Sequence, residues 1–138
     1  MGRHVILVFL LVFVCGTGCI AQKCKGMEVK YESAIQYPNA ARAARVQGEA
    51  VVQVHIATDG TVTADIVSGT PVLADSAKRF VLSWTVSWTS NIPPTACNPV
   101  LHVDYKLKQD HFDVKMKLPT HISVQAPPID TAVNSAIH

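Results

Sequence analysis

Residues 35–56 read IQYPNAARAARVQGEAVVQVHI and change from one periodicity to another at Gly48. Pro38 suits the first turn of a helix, where its missing N–H is not needed. The alanines and arginines of Asn39 to Val46 favour a helix whose arginines lie in solvent. Gly48 is predicted to end this helix. From Ala50 to Ile56 every even-numbered position is apolar, which predicts a strand with one buried face.

The strand is predicted to continue into a hairpin and then into a second helix. Asp59-Gly60 is a strong hairpin signal because the turn requires positive φ values that glycine tolerates, and the alternation resumes from Val62 to Ile66. After Pro71 the apolar residues follow a helical spacing. The residues on this stripe are Leu73, Ala77, Phe80 or Val81, and Trp84. We expect the stripe to pack on the apolar face of the hairpin.

The C-terminal half of the chain alternates again. Residues 84–89 are β-branched and aromatic and predict extended chain, whereas residues 91–99, with three prolines, predict a loop. Residues 101–107 and 112–118 each alternate between apolar and polar positions. The parity changes between the two runs, so either a tight turn joins two antiparallel strands or one long strand carries a bulge. The sequence favours the hairpin.

These elements together predict an α+β domain. It is a small antiparallel sheet with two helices packed on one face, in the order helix, hairpin, helix, strand, followed by an extra C-terminal strand. The domain is predicted to span residues 22–118. Residues 119–138 are polar, contain Pro127-Pro128 and are predicted to form a flexible C-terminal tail.

The N-terminal residues Met1 to Ala21 have the order of a secretory signal peptide. A basic end precedes an apolar block from Val5 to Cys15, and small residues follow. We expect cleavage after Ala21 and a periplasmic or secreted mature chain. An uncleaved membrane anchor over residues 5–21 and lipidation at Cys19 are the alternatives.

The predicted export of the chain makes its cysteines informative. Two of the four lie in the leader, and the mature chain keeps Cys24 and Cys97. An even pair in an exported protein predicts one disulfide, and two unpaired thiols are the alternative. Such a bridge would tie the mature N-terminus to the segment before the last strands.

Composition and motifs argue against several classes of function. The formal net charge is +2 and the two signs are interspersed, so the sequence has no electrostatic footprint for nucleic acid. No serine or cysteine lies in a nucleophile motif, so we expect no enzyme activity. Four residues are candidate metal ligands, but their spacing matches no metal site. They are explained as polar positions on exposed strands, and we expect neither a metal nor a cofactor. These four are His102, Asp104, His111 and Asp113.

Several motifs occur in the order typical of one known family. They are Tyr37-Pro38, Ala41, Gly48, Val51-Val52, Val54, Asp59-Gly60, Val62, Val67, Gly69, Pro71, Leu73, Ala77, Val81 and Trp84. In this pattern, which spans residues 36–107, the chain resembles the TonB C-terminal domain family. The resemblance implies a periplasmic protein–protein interaction domain that takes part in transmembrane transport and is not an enzyme.

The resemblance also implies where a partner binds. In this family the last long strand, here residues 100–108, pairs along its edge with an extended peptide of an outer-membrane receptor. The segment before the first helix meets the same receptor. The implied partner-binding residues are Gln36, Tyr37, Pro38, Val103, Tyr105 and Leu107. The alternative is a stand-alone envelope adaptor without an energy-transducing role. Membrane contact is expected only if the leader is retained or lipidated.

Three features depart from the family pattern. Val86 stands where an aromatic residue is usual, and the linker of about fifteen residues between the leader and the Tyr-Pro pair reaches less than about 50 Å, too little to cross the periplasm. The extra run Phe112–Leu118 would occupy the receptor-binding edge if it pairs with residues 101–108. We therefore hypothesise that this edge is self-capped or that a partner uses another edge. Deletion after Asp110 should then increase receptor-peptide binding or provoke dimerisation.

Overall fold

A computed structural model describes residues 24–130 of the 138-residue chain. The elements in this part are β1 (Met27–Tyr31), α1 (Asn39–Ala43), β2 (Gly48–Ile56), β3 (Val62–Ser68), α2 (Pro71–Leu82), β4 (Trp84–Trp88), β5 (Val100–Leu107), β6 (Asp113–Lys117) and β7 (His121–Ala126). One sheet has five strands in the order β3-β2-β5-β7-β6, and a second sheet pairs β1 with β4. The predicted leader lies outside the described residues.

The hairpin of β2 and β3 confirms the prediction from the opening stretch. The two strands pair antiparallel, and Gly60 in the connecting turn has a φ of 87°. The backbone N–H of Thr61 donates to Asp59 Oδ1 at 2.9 Å, which closes the turn. Because side chains alternate between the faces of a strand, the even-numbered apolar residues of β2 all enter the core. They are Ala50, Val52, Val54 and Ile56.

Helix α2 covers the buried face of this hairpin, as predicted. It begins at Pro71, whose fixed φ suits the first helical turn, and it packs on β2 and β3. Its buried residues are Leu73, Ala74, Ala77, Phe80 and Val81. Each of the larger ones contributes about 1.5–3 kcal/mol by leaving water. Trp84, at the end of the same stripe, is also buried, with its ring edge-on to Phe80 at 5.9 Å.

Helix α1 is shorter than the sequence predicts. It ends at Ala43, and Arg45 rather than Gly48 is the left-handed residue after it, with a φ of 56°. The backbone N–H of Val46 donates to the carbonyl oxygen of Ala41 at 2.8 Å and satisfies the end of the helix. Because arginine takes the left-handed position, Gly48 is free to begin β2.

The larger sheet corrects the predicted fold in two respects. The broad α+β class is right, but the sheet is mixed and has five strands, since β5 and β7 run parallel. The predicted hairpin between residues 101–107 and 112–118 is wrong: β6 pairs with β7, and β7 lies between β6 and β5. Residues 121–126 are therefore an inner strand of the sheet and not part of a tail. The physical reason is their own alternation, which buries three apolar side chains.

The second sheet and the disulfide attach the N-terminal segment to the core. Residues 84–88, predicted as extended chain, form β4 and pair antiparallel with β1. The predicted disulfide between Cys24 and Cys97 is confirmed, with its Cα atoms 5.6 Å apart. Cys97 also forms an isolated bridge with Ile56 of β2. Within residues 24–130, neither helix is long and apolar enough to cross a membrane.

Candidate partner-binding edge

The strand to which the family resemblance assigns partner binding is β5, in the middle of the larger sheet. It pairs antiparallel with β2 on one side. Val103 and Tyr105 are fully buried, and Leu107 packs partly exposed against the same core. The side chains of Val103 and Tyr105 therefore cannot reach a partner, and only the backbone of β5 is suited to that role.

The outer backbone edge of β5, called the β5 edge below, is already paired with β7. The pairing is parallel, and its register runs from His102 opposite His121 to Leu107 opposite Ala126. Backbone hydrogen bonds close both ends: the N–H of His102 donates to Thr120 O at 2.8 Å, and that of Lys108 donates to Ala126 O at 2.9 Å. The β5 edge thus holds an extended strand supplied by the chain itself.

The core face of β7 explains why it fits this position. Ile122 is 2% exposed, and Val124 and Ala126 are fully buried. By register they lie beside Val103, Tyr105 and Leu107 of β5. The sequence did not lead us to predict this strand, because Pro119 and Pro127-Pro128 lie so close to its two ends. The alternation of apolar residues with a period of two was nevertheless a usable signal.

The open face of the same strands carries polar side chains. The rings of His102 and His121 stack at 5.3 Å with an interplanar angle of 14°. His102 Nδ1 lies 3.4 Å from Glu49 Oε1, and Lys106 Nζ lies 3.4 Å from Asp104 Oδ2. These exposed contacts contribute little energy each, so the position of β7 depends mainly on its buried face.

Gln36, Tyr37 and Pro38 divide into exposed and structural positions. Gln36 is exposed, and its carbonyl oxygen accepts a hydrogen bond from Ser76 Oγ at 2.8 Å. A cleft of about 410 Å³ opens between this segment and α2. Its lining includes Ile35, Gln36, Pro38, Asp75, Ser76 and Arg79. This surface is accessible to a partner.

Tyr37, in contrast, is a core residue. Its hydroxyl donates to the carbonyl oxygen of Val46, and its ring lies edge-on to Tyr105 at 5.2 Å. Burial raises the pKa of Tyr37, although the charge of Arg42 opposes the shift. Burial also raises the pKa of Tyr105 to about 12. Both phenols therefore stay neutral near pH 7, and their contact links the segment before α1 to the strand that carries the β5 edge.

Comparison with known protein families identifies the domain that carries this edge. The model of the Gram-negative bacterial TonB protein C-terminal family matches residues 33–107, more than half of the chain. The chain belongs to the TonB C-terminal family. Members of this family are periplasmic protein-interaction domains rather than enzymes. No curated protein and no solved structure matches the chain.

The limits of the family match divide this TonB C-terminal domain into a shared and an added part. The match begins at Ser33, the first residue of the segment that lines the cleft, and ends at Leu107, the last residue of β5. Strand β1 precedes it, and β6 and β7 follow it. The strand that occupies the β5 edge therefore lies outside the region that this chain shares with its family.

Proposed function

We propose that this chain is a periplasmic interaction domain that binds an extended segment of a partner protein by strand addition at the β5 edge. The observation that carries the proposal is the parallel pairing of β7 along that edge. An edge that pairs with one strand over six residues presents the spacing and hydrogen-bonding groups that a foreign strand requires. Outer-membrane receptors are the class of partner that the family suggests.

The experiment is a titration of fluorescent peptides from the periplasm-facing segments of outer-membrane receptors. The mature chain is compared with a Val124→Asp variant, in which a buried charge disfavours the docked position of β7. We expect saturable binding to the variant. A matched peptide with proline at its central position should not bind, because proline removes a ladder N–H. Absence of binding to a folded variant would refute the proposal.

A second candidate, a stand-alone adaptor, is favoured by the disulfide. Only Gln22 and Lys23 separate the predicted leader from Cys24, which is bonded to Cys97 in the core. Two residues extend less than about 10 Å, so a retained leader would hold the domain at the membrane surface. Receptor coupling across the periplasm would then require a separate spacer protein. Co-purification with envelope proteins but not with receptor peptides would support this second candidate.

A further inference from the structure

We propose that β6 and β7, residues 113–126 and called the C-terminal hairpin below, are a built-in competitor for the β5 edge. In the free chain β7 occupies the position of the partner strand, and a partner binds only after the C-terminal hairpin has left as one unit. The identity of that partner rests on the proposed function. The competition itself rests on the topology of the sheet.

The order of the strands allows the C-terminal hairpin to separate from the rest of the sheet between β5 and β7. Among the strands of residues 24–130, β6 pairs with β7 alone, so removing the C-terminal hairpin breaks only one of the described strand pairings, that of β5 with β7. Val114 and Met116 of β6 pack only partly buried against the core. The connection from β5 to β6, residues 108–112, is exposed throughout. At its start, the backbone N–H of Lys108 donates to Ala126 O at 2.9 Å. This connection can act as a hinge.

A contact from α1 fastens the far end of the C-terminal hairpin. Arg42, which the sequence predicts to lie in solvent, is half-buried, and its Nε donates to Pro127 O at 2.8 Å. Pro127 directly follows β7. Arg42 also lies near Tyr37, whose segment borders the cleft beside α2. A partner strand that binds at the Leu107 end of β5 therefore meets the hydrogen bond between Arg42 and Pro127 that holds the C-terminal hairpin in place.

Strand β7 is also a template for the partner strand. Ile122 and Val124 fill the buried positions beside Val103 and Tyr105, and the small Ala126 fills the position beside Leu107. A strand that replaces β7 in the same parallel register must fill the same space. We infer that the partner segment carries β-branched aliphatic residues at two alternate positions and a small residue at the third.

The test uses a labelled synthetic peptide with the sequence of residues 119–128, titrated against three forms of the mature chain. The Val124→Asp variant should bind it at least about 10-fold more tightly than the parent chain, because burial of one aliphatic side chain corresponds to a factor of ten or more. Gln125→Asp is the matched control, since Gln125 lies on the open face, and it should behave like the parent. A peptide carrying aspartate in place of Val124 should not bind. Equal affinities for all three forms would overturn the proposal.

A second experiment leaves the core sequence unchanged. A protease site inserted in residues 108–112 allows the C-terminal hairpin to be cut from the folded chain without altering a buried residue. We expect the cut hairpin to dissociate on dilution and to exchange with the labelled peptide. A hairpin that neither dissociates nor exchanges would contradict the proposal. If the residue 119–128 peptide binds the Val124→Asp variant and receptor peptides do not, the competition stands and the proposed function fails.

Discussion

Opening the disulfide should cost this domain much of its stability. The bridge joins residues 73 positions apart in sequence. In the chain-entropy model, a loop of this length contributes about 4.4 kcal/mol at 25 °C by restricting the unfolded chain. Whole domains are stable by only about 5–15 kcal/mol, so the loss is a large fraction of the total. The contribution is large because the bridge spans almost the whole family-matched region.

The variant of choice is Cys24→Ser, which leaves the buried sulfur of Cys97 in place. Urea unfolding of a chain of residues 22–138, followed by tryptophan fluorescence, measures the difference. If the free energy of unfolding falls by about 2 kcal/mol per molar urea, the urea concentration at the unfolding midpoint should fall by about 2 M relative to the oxidised parent. Reductant should shift the midpoint of the parent by a similar amount and should leave that of Cys24→Ser unchanged, because residues 22–138 of the variant keep a single cysteine and have no bridge to reduce. A loss below about 1 kcal/mol would show that the unfolded chain is already restrained and that the entropic reasoning is wrong.

Three further predictions concern the sheet. Val54→Ala, at a fully buried position, should lower the free energy of unfolding by roughly 2 kcal/mol, whereas Val67→Ala, at a position 60% exposed, should change it by less than about 0.5 kcal/mol in the same urea assay. Gly69→Ala should cost more than Gly48→Ala by about 1 kcal/mol or more: both residues have positive φ, but only at Gly69 would a Cβ lie 2.9 Å from the backbone of β2. The neutral phenol of Tyr105, with its pKa raised to about 12, stabilises the fold fully below about pH 10, and this contribution is lost as the pH rises through 12. Tyr105→Phe should therefore flatten the alkaline decline of stability measured by urea unfolding, and an unchanged slope would contradict that assignment.

The parts of the fold that could be predicted from sequence are those specified by local chemistry. The β2–β3 hairpin follows from alternation around Asp59-Gly60, and α2 follows from Pro71 and a helical apolar stripe. The cysteine pair followed from the compartment and from simple counting. For the hairpin and the helix, the sequence signal and the structure that it specifies lie within a few residues of one another. For the cysteines, only one pairing is possible.

The remainder depends on which strands meet, and alternation does not encode this. The run 112–118 is amphipathic and would satisfy either β5 or β7 as a neighbour. The choice is decided by the three buried side chains of β7, whose burial favours the inner position over the rim. The same competition explains why residues 100–107 form the strand that the alternation predicts, while the strand that pairs along its outer edge was missed. Strand β1 was missed although its five residues alternate between apolar and polar, because so short a run does not indicate its partner, and β4 lies far along the chain.

The C-terminal hairpin also changes which strand ends the sheet. With β6 at the rim, the outermost strand has only five residues and carries Asp113, Lys115 and Lys117 on its open face. Short, charged rim strands resist indiscriminate association between copies of a protein. If the C-terminal hairpin leaves, the longer and more apolar β5 becomes the rim and attracts any extended backbone nearby. Copies that open without a partner nearby would therefore be prone to aggregate, so we expect the opened state to be rare and brief.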